Sequence, residues 1–168
     1  MRNNFFLNSI EWRVNITKNF FKKLFLRETI EISLINQIVE KKNKLWILDI
    51  GANIGQKTEL FLSANSKINI MLFEPYKKYF LYIKKKFKKK KNIKFYNFGI
   101  GKRNKKQKFY TTNQKENSEA FSFRKMPYHN SSTKSEVRKL DDLKELKNKK
   151  ILLIKIDVEQ LELDVMIG

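Results

Sequence analysis

Acids at strand ends and a pair of spaced glycines carry the chemistry that this sequence offers. The apolar run Leu45-Trp46-Ile47-Leu48 leads into Asp49-Ile50, and Gly51-Ala52-Asn53-Ile54-Gly55 completes a D-x-G-x-x-x-G spacing. Glycines there permit positive φ and let a ligand approach the backbone closely. A second apolar run, Ile68 to Phe73, ends on Glu74-Pro75, 25 residues after Asp49. Two adjacent parallel strands would then present carboxylates at one edge of a sheet, where ligands of open α/β sheets bind. An acid at the second strand end accepts hydrogen bonds from both hydroxyls of a ribose, each charge-assisted bond worth about 1.5–3 kcal/mol. The pattern predicts a nucleoside site. The G-x-G-x-x-G of dinucleotide binders is absent, so a nicotinamide cofactor fits less well.

The elements that must position these residues read as strands and helices in alternation. Gln56 to Ala64 suits a crossover helix after the glycines, and Pro75 suits the start of a second helix carrying Tyr79, Phe80, Ile83 and Phe87. The run Lys84 to Lys91 at its end reads as a solvated face. Strand three is expected over Ile93 to Phe98, followed by Gly99-Ile100-Gly101. Residues 102–136 are the least regular, with Lys108 to Thr111 a short extra strand and Asn113 to Ser135 a long polar loop. That loop holds His129, the one histidine, which reads as exposed, with a general-base role as the less favoured alternative. Leu140-Asp141-Asp142-Leu143 should open a short helix. Strand four, Ile151 to Ile156, again ends in acids, Asp157-Val158-Glu159, and a helix begins at Leu161. Alternation of this kind predicts an α/β fold, a doubly wound, mostly parallel sheet with right-handed crossovers.

Ahead of this, residues 1–44 read as a helical extension. Trp12, Ile16, Phe20 and Leu24, with Phe5, Phe6, Phe21 and Phe25, recur at helical intervals, as do Ile30, Leu34, Ile35, Ile38 and Val39 before Lys41-Lys42-Asn43-Lys44. A pair of helices covering the sheet edge or the cofactor mouth is favoured over a basic helix on a membrane or partner.

Length and charge set bounds. A chain of 168 residues, 41% hydrophobic and 13% aromatic, is long enough for one domain with a real core. No cysteine is present, so disulfides and cysteine-ligated metal are excluded, and no metal site is expected. No uncharged stretch approaches the roughly 20 residues that span a bilayer, and Glu11 and Arg13 interrupt the N-terminal apolar patch before a cleavable signal forms. A cytoplasmic protein is expected. The net charge of +20 suggests nucleic acid, but 31 lysines against 6 arginines is the bias of an A/T-rich coding sequence. Arginine, the better reader of phosphates and bases, is scarce. Nucleic acid therefore ranks below other partners.

The blocks Asp49-Ile50-Gly51-Ala52-Asn53-Ile54-Gly55-Gln56, Phe73-Glu74-Pro75, Leu140-Asp141-Asp142-Leu143 and Lys155-Ile156-Asp157-Val158-Glu159 with Glu162-Leu163, in this order, resemble an FkbM-type methyltransferase. The resemblance covers Leu45 to Gly168. It implies a Rossmann-like fold, S-adenosylmethionine as cofactor, and methylation of a hydroxyl on a sugar, glycan or other small molecule. It further implies a cofactor site of Asp49, Gly51 and Gly55 around the methionine moiety, Glu74 on the ribose, and Asn97 and Gly99 near the adenine, with Asn53 also binding the cofactor. Asp157 and Glu159 would face the acceptor, Asp157 as the base that takes the hydroxyl proton. Asp49, Glu74 and Asp157 are expected to converge on one cleft.

Two positions depart from the family pattern: Gln160 stands where a glycine follows Asp-Val-Glu, and Lys102 where relatives often carry an acid. The family sheet, ordered 3-2-1-4-5-7-6, also implies strands beyond those of residues 45–168. Strands 3, 2, 1 and 4 are expected here, with strand four an apolar edge, in a partial methyltransferase domain that is poorly stable and weakly active alone. Oligomeric state is not legible. An RNA methyltransferase and an inactive lysine-rich remnant that binds nucleic acid are the competing readings.

Overall fold

The computed structural model describes residues 33–39, 44–112 and 121–168. The expected helix through Trp12, Ile16, Phe20 and Leu24 lies outside the described residues, as do Lys41, Lys42 and Asn43 and residues 113–120 of the polar loop. Within the rest, α1 (residues 33–39) precedes β1 (Trp46–Ile50), α2 (Gln56–Ala64), β2 (Asn69–Phe73), α3 (Lys77–Lys86) and β3 (Ile93–Tyr96). β4 (Gly99–Ile100), β5 (Lys105–Thr111), β6 (Ser131–Arg138), β7 (Ile151–Ile156) and α4 (Glu162–Ile167) follow.

One sheet has the order β3-β2-β1-β7, all neighbours parallel, as the alternation of strands and helices predicts. β1 and β2 are largely apolar, broken only by Asp49 and Asn69, because both of their faces are covered. On one face Ile47, Ile70 and Leu72 pack with Phe61 of α2, Ile83 of α3 and Val39 of α1. On the other, Leu48, Ile50, Met71 and Phe73 meet Phe98, Ile100, Leu143 and Val165. Within α1, Ile35 and Val39 are buried and Leu34 and Ile38 exposed, so only part of the expected apolar face meets the core. β7 lies at the sheet's edge among the described residues, with Ile151 and Ile154 exposed.

A second sheet of order β4-β6-β5 contains the short strand expected over Lys108 to Thr111, as the end of β5, and replaces the last part of the expected polar loop with β6. β5 and β6 pair antiparallel from Lys105↔Val137 to Thr111↔Ser131. The sequence of β6 hid this. Only Ser135 and Val137 of β6 are buried, so Ser131-Ser132-Thr133-Lys134 face solvent and carry no apolar alternation. Backbone ladder bonds, which are blind to side-chain type, hold the pair.

Three smaller expectations change. Strand three stops at Tyr96, because Asn97 turns its amide back to donate to the carbonyl oxygens of Glu74 (2.8 Å) and Pro75 (3.3 Å), and Gly99 and Ile100 join the second sheet. Helix α3 starts at Lys77 after the N-cap Tyr76; Pro75 stays outside it, its carbonyl also accepting from Ser135 Oγ at 2.9 Å. Asp141 and Asp142 open no α-helix, only the 3-10 turn Lys144–Leu146. Asp142 accepts instead from Asn104 Nδ2 at 2.6 Å, and the Asp141 N–H donates to the Gly168 carbonyl.

Candidate functional site

The glycine turn after β1 is built by backbone geometry. Gly51 has φ +75°, and its N–H and that of Ala52 both donate to the Phe73 carbonyl at the end of β2. A Cβ on Gly51 would stand 1.9 Å from the Asp157 carbonyl oxygen, so the turn lies directly against the loop that leaves β7. The Asp157 N–H donates to Ile50 O at 3.1 Å and closes that contact. The two strand ends thus meet edge to edge, and a cleft opens above them.

Glu74 is the focal charge of that cleft. It is 4% exposed, and its two oxygens accept the N–H groups of Asn53 and Tyr76, each at 2.8 Å. A carboxylate offers about four lone-pair sites, so two remain for a ligand. Burial pushes its pKa up to about 7, against the downward pull of those two N–H groups and of Lys155.

The cleft encloses about 630 Å³, open solvent at its mouth included. Of the residues expected in the site, Gly51, Asn53, Glu74, Gly99, Asp157 and Glu159 line it. Asp49, Gly55 and Asn97 do not. Side chains alternate along a strand, which turns Asp49 with Ile47 toward α2, away from the cleft. There Asp49 is wholly buried and accepts the Thr58 hydroxyl at 2.7 Å. The expected convergence therefore holds for Glu74 and Asp157, with Asp49 behind the turn. Gly55, at φ +83°, faces the Phe87 ring, and Asn97 braces the bend after Tyr96 as described.

An aromatic wall and a lysine join the site beyond the residues expected from the sequence. Tyr79 of α3, Phe109 of β5, Phe121 and Phe123 line the cleft. Tyr79 stacks on Phe121 with centroids 5.5 Å apart, Phe109 meets Phe123 edge-on at 4.8 Å, and a Cβ on Gly99 would strike the Phe123 ring. The Phe121-Ser122-Phe123 alternation was the available signal. Ser122 Oγ donates to Glu159 O at 3.0 Å, tying that segment to the loop after β7. Lys155, one of 31 lysines, stands behind the turn: its ammonium is 2.7 Å from Gly51 O, 3.1 Å from Asp49 Oδ1 and 3.7 Å from Asp157 Oδ2.

His129 is buried rather than exposed. Its Nδ1 accepts the Met126 N–H at 2.9 Å and its ring stacks on Tyr110, outside the cleft. Lys102 pairs with Asp164 of α4 at 3.0 Å and is likewise no part of the lining. Glu159 and Gln160 both adopt left-handed backbone, φ +54° and +72°. For a residue with a Cβ this costs about 1–2 kcal/mol, partly offset by the greater chain entropy that a glycine would lose. Gln160→Gly is therefore expected to raise the melting temperature by roughly 2–4 °C in thermal unfolding; an unchanged or lower midpoint would contradict strain at this position.

The family model for the methyltransferase FkbM domain matches residues 49–168. Among solved structures, a Staphylococcus aureus chain assigned as a caffeoyl-CoA O-methyltransferase is similar at 19% identity with a TM-score of 0.33, over 55% of this chain and 48% of that one. The present chain thus spans about half the length of that structure. No curated protein sequence matches.

Proposed function

Since this chain belongs to the methyltransferase FkbM domain family, we propose that its cleft binds S-adenosylmethionine and that it methylates a hydroxyl on a sugar, glycan or other small molecule. The observation that carries the reading is Glu74, a buried carboxylate at a strand end with two lone-pair sites left over, beside a glycine turn. Two features fit that cofactor. The turn has no room for a side chain at Gly51. The lining holds the acids Glu74, Asp157 and Glu159 and no lysine or arginine among the described residues, which suits a cationic ligand.

Glu74 would accept the ribose hydroxyls, and the Gly51–Asn53 turn would hold the methionine end. Tyr79, Phe109, Phe121 and Phe123 offer ring faces and edges to the adenine side. When bound, S-adenosylmethionine supplies a methyl group on a positively charged sulfur. Asp157, on the acceptor side, takes the proton that the acceptor hydroxyl loses, and Glu159 beside it adds negative charge. Alignment of acceptor oxygen and methyl group supplies most of the rate. An RNA acceptor is less well suited, because its phosphates would meet three acids.

The test is calorimetric titration with S-adenosylmethionine between pH 5.5 and 8. Hydroxyl donors favour the ionised carboxylate, so binding should lower the Glu74 pKa from about 7 and release a proton. Affinity is expected to rise with pH up to about 7 and then level off. The apparent enthalpy near pH 6.5 should depend on the ionisation enthalpy of the buffer. The stability of the unliganded protein should run the other way. A pKa raised on folding stabilises fully below about 4.5 and is lost as pH rises through about 7, an effect on the order of 3 kcal/mol. Absence of binding at every pH would remove the proposal.

A further inference from the structure

Lys155 belongs to β7 and its Cα is the register partner of Asp49 on β1. Its side chain is 16% exposed, so it is no solvated edge lysine. The bland account is charge balance for the buried Asp49. The distances argue against that as the whole role. The shortest contact runs to the Gly51 carbonyl, at 2.7 Å, and the ammonium lies 3.1 Å from Asp49 Oδ1 but off the hydrogen-bond direction, leaving that oxygen without an aligned donor. The Asp157 carboxylate stands on the same ammonium at 3.7 Å. Gly51 and Asp157 both line the cleft, whereas Lys155 reaches them from behind.

We propose that Lys155 is a positioning residue whose ammonium, held among the Gly51 carbonyl and the Asp49 and Asp157 carboxylates, fastens the glycine turn to the loop after β7, so that the cofactor and acceptor walls of the cleft are set as one unit. This rests on the reading of the cleft given above. An ammonium is a compact charge with three rotatable donors, suited to holding oxygens that diverge from one another. The backbone bond from Asp157 N–H to Ile50 O joins the same loops at their base; Lys155 adds a further tie that stops them from pivoting.

The experiment compares Lys155→Met, Asp49→Asn and the double variant Asp49→Asn/Lys155→Met. Lys155→Met alone strands a buried carboxylate and should lower the melting temperature by on the order of 10 °C. The double variant removes both charges and should regain most of that loss. Relative to Asp49→Asn, the double variant is expected to bind S-adenosylhomocysteine at least tenfold more weakly by calorimetry. Amide exchange at Gly51–Asn53 and at Val158–Glu159 should quicken at least tenfold in the same comparison. A double variant matching Asp49→Asn in both affinity and exchange reduces Lys155 to a counter-ion and overturns the proposal, as does one that stays unfolded. If the wild type binds no S-adenosylhomocysteine, the cofactor reading falls and the exchange comparison alone decides the role of Lys155.

Discussion

Glu74→Ala is expected to abolish measurable S-adenosylmethionine binding, a loss of at least 100-fold, while the chain still unfolds cooperatively within a few degrees of the wild-type midpoint. Two charge-assisted bonds to a ribose are worth about 1.5–3 kcal/mol each, and the lower bound of their sum already exceeds 100-fold. The substitution also deprives the Asn53 and Tyr76 N–H groups of their acceptor, which loosens the turn that shapes the cleft. Stability changes less, because a carboxylate whose pKa burial raises to about 7 is itself held at a cost at neutral pH. Glu74→Gln separates the contributions: it keeps an oxygen for one N–H, loses the charge, and should erase the pH dependence of both binding and stability. Calorimetry at pH 7.5 reads the first effect. Wild-type affinity in Glu74→Ala would sink the ribose role and the site with it.

Gly51→Ala should cause the largest loss of stability of any single methyl addition in the described chain. Three costs coincide. The residue sits at φ +75°, where a Cβ costs about 1–2 kcal/mol. That Cβ would lie 1.9 Å from the Asp157 carbonyl oxygen, a backbone atom that no rotamer change can move aside. Relieving the overlap means parting the turn from the loop after β7, at the expense of the Asp157 N–H to Ile50 O bond and the Lys155 contact to Gly51 O. Together these reach about 4 kcal/mol, in the range that marks a specific structural lesion, so the melting temperature should fall by roughly 8–16 °C. Gly55→Ala provides the contrast. Its φ is +83°, but the Cβ would meet the Phe87 ring, a side chain that can shift, and a smaller loss is expected. Equal midpoints for wild type and Gly51→Ala would show that the turn and the loop are not in contact in solution.

The parallel sheet was legible in the chain because burial on two faces favours apolar runs, as in β1 and β2, and β7 reads the same way although its residues are only partly covered at the sheet's edge. The strand ends were legible for a related reason: an acid directly after an apolar run lies where the chain leaves the sheet, and that placed Glu74 and Asp157 on one edge. The FkbM family, whose domain matches residues 49–168, was readable from the same blocks. What folding alone decided was side-chain direction and partnership. Asp49 turns to the α2 face because strand residues alternate, so an acid one residue from the strand's end can stand behind the site it appears to border. β6 left almost no apolar trace and β5 only Phe109 and Tyr110, since backbone ladders hold the pair and their outward residues are free to be polar. Phe121 and Phe123 became a wall only when the second sheet carried them across to Gly99. Lys155 looked like any of 31 lysines until β7 paired with β1. Composition and periodicity report how deeply a residue is buried; only the paired strands determine which other residues it meets there.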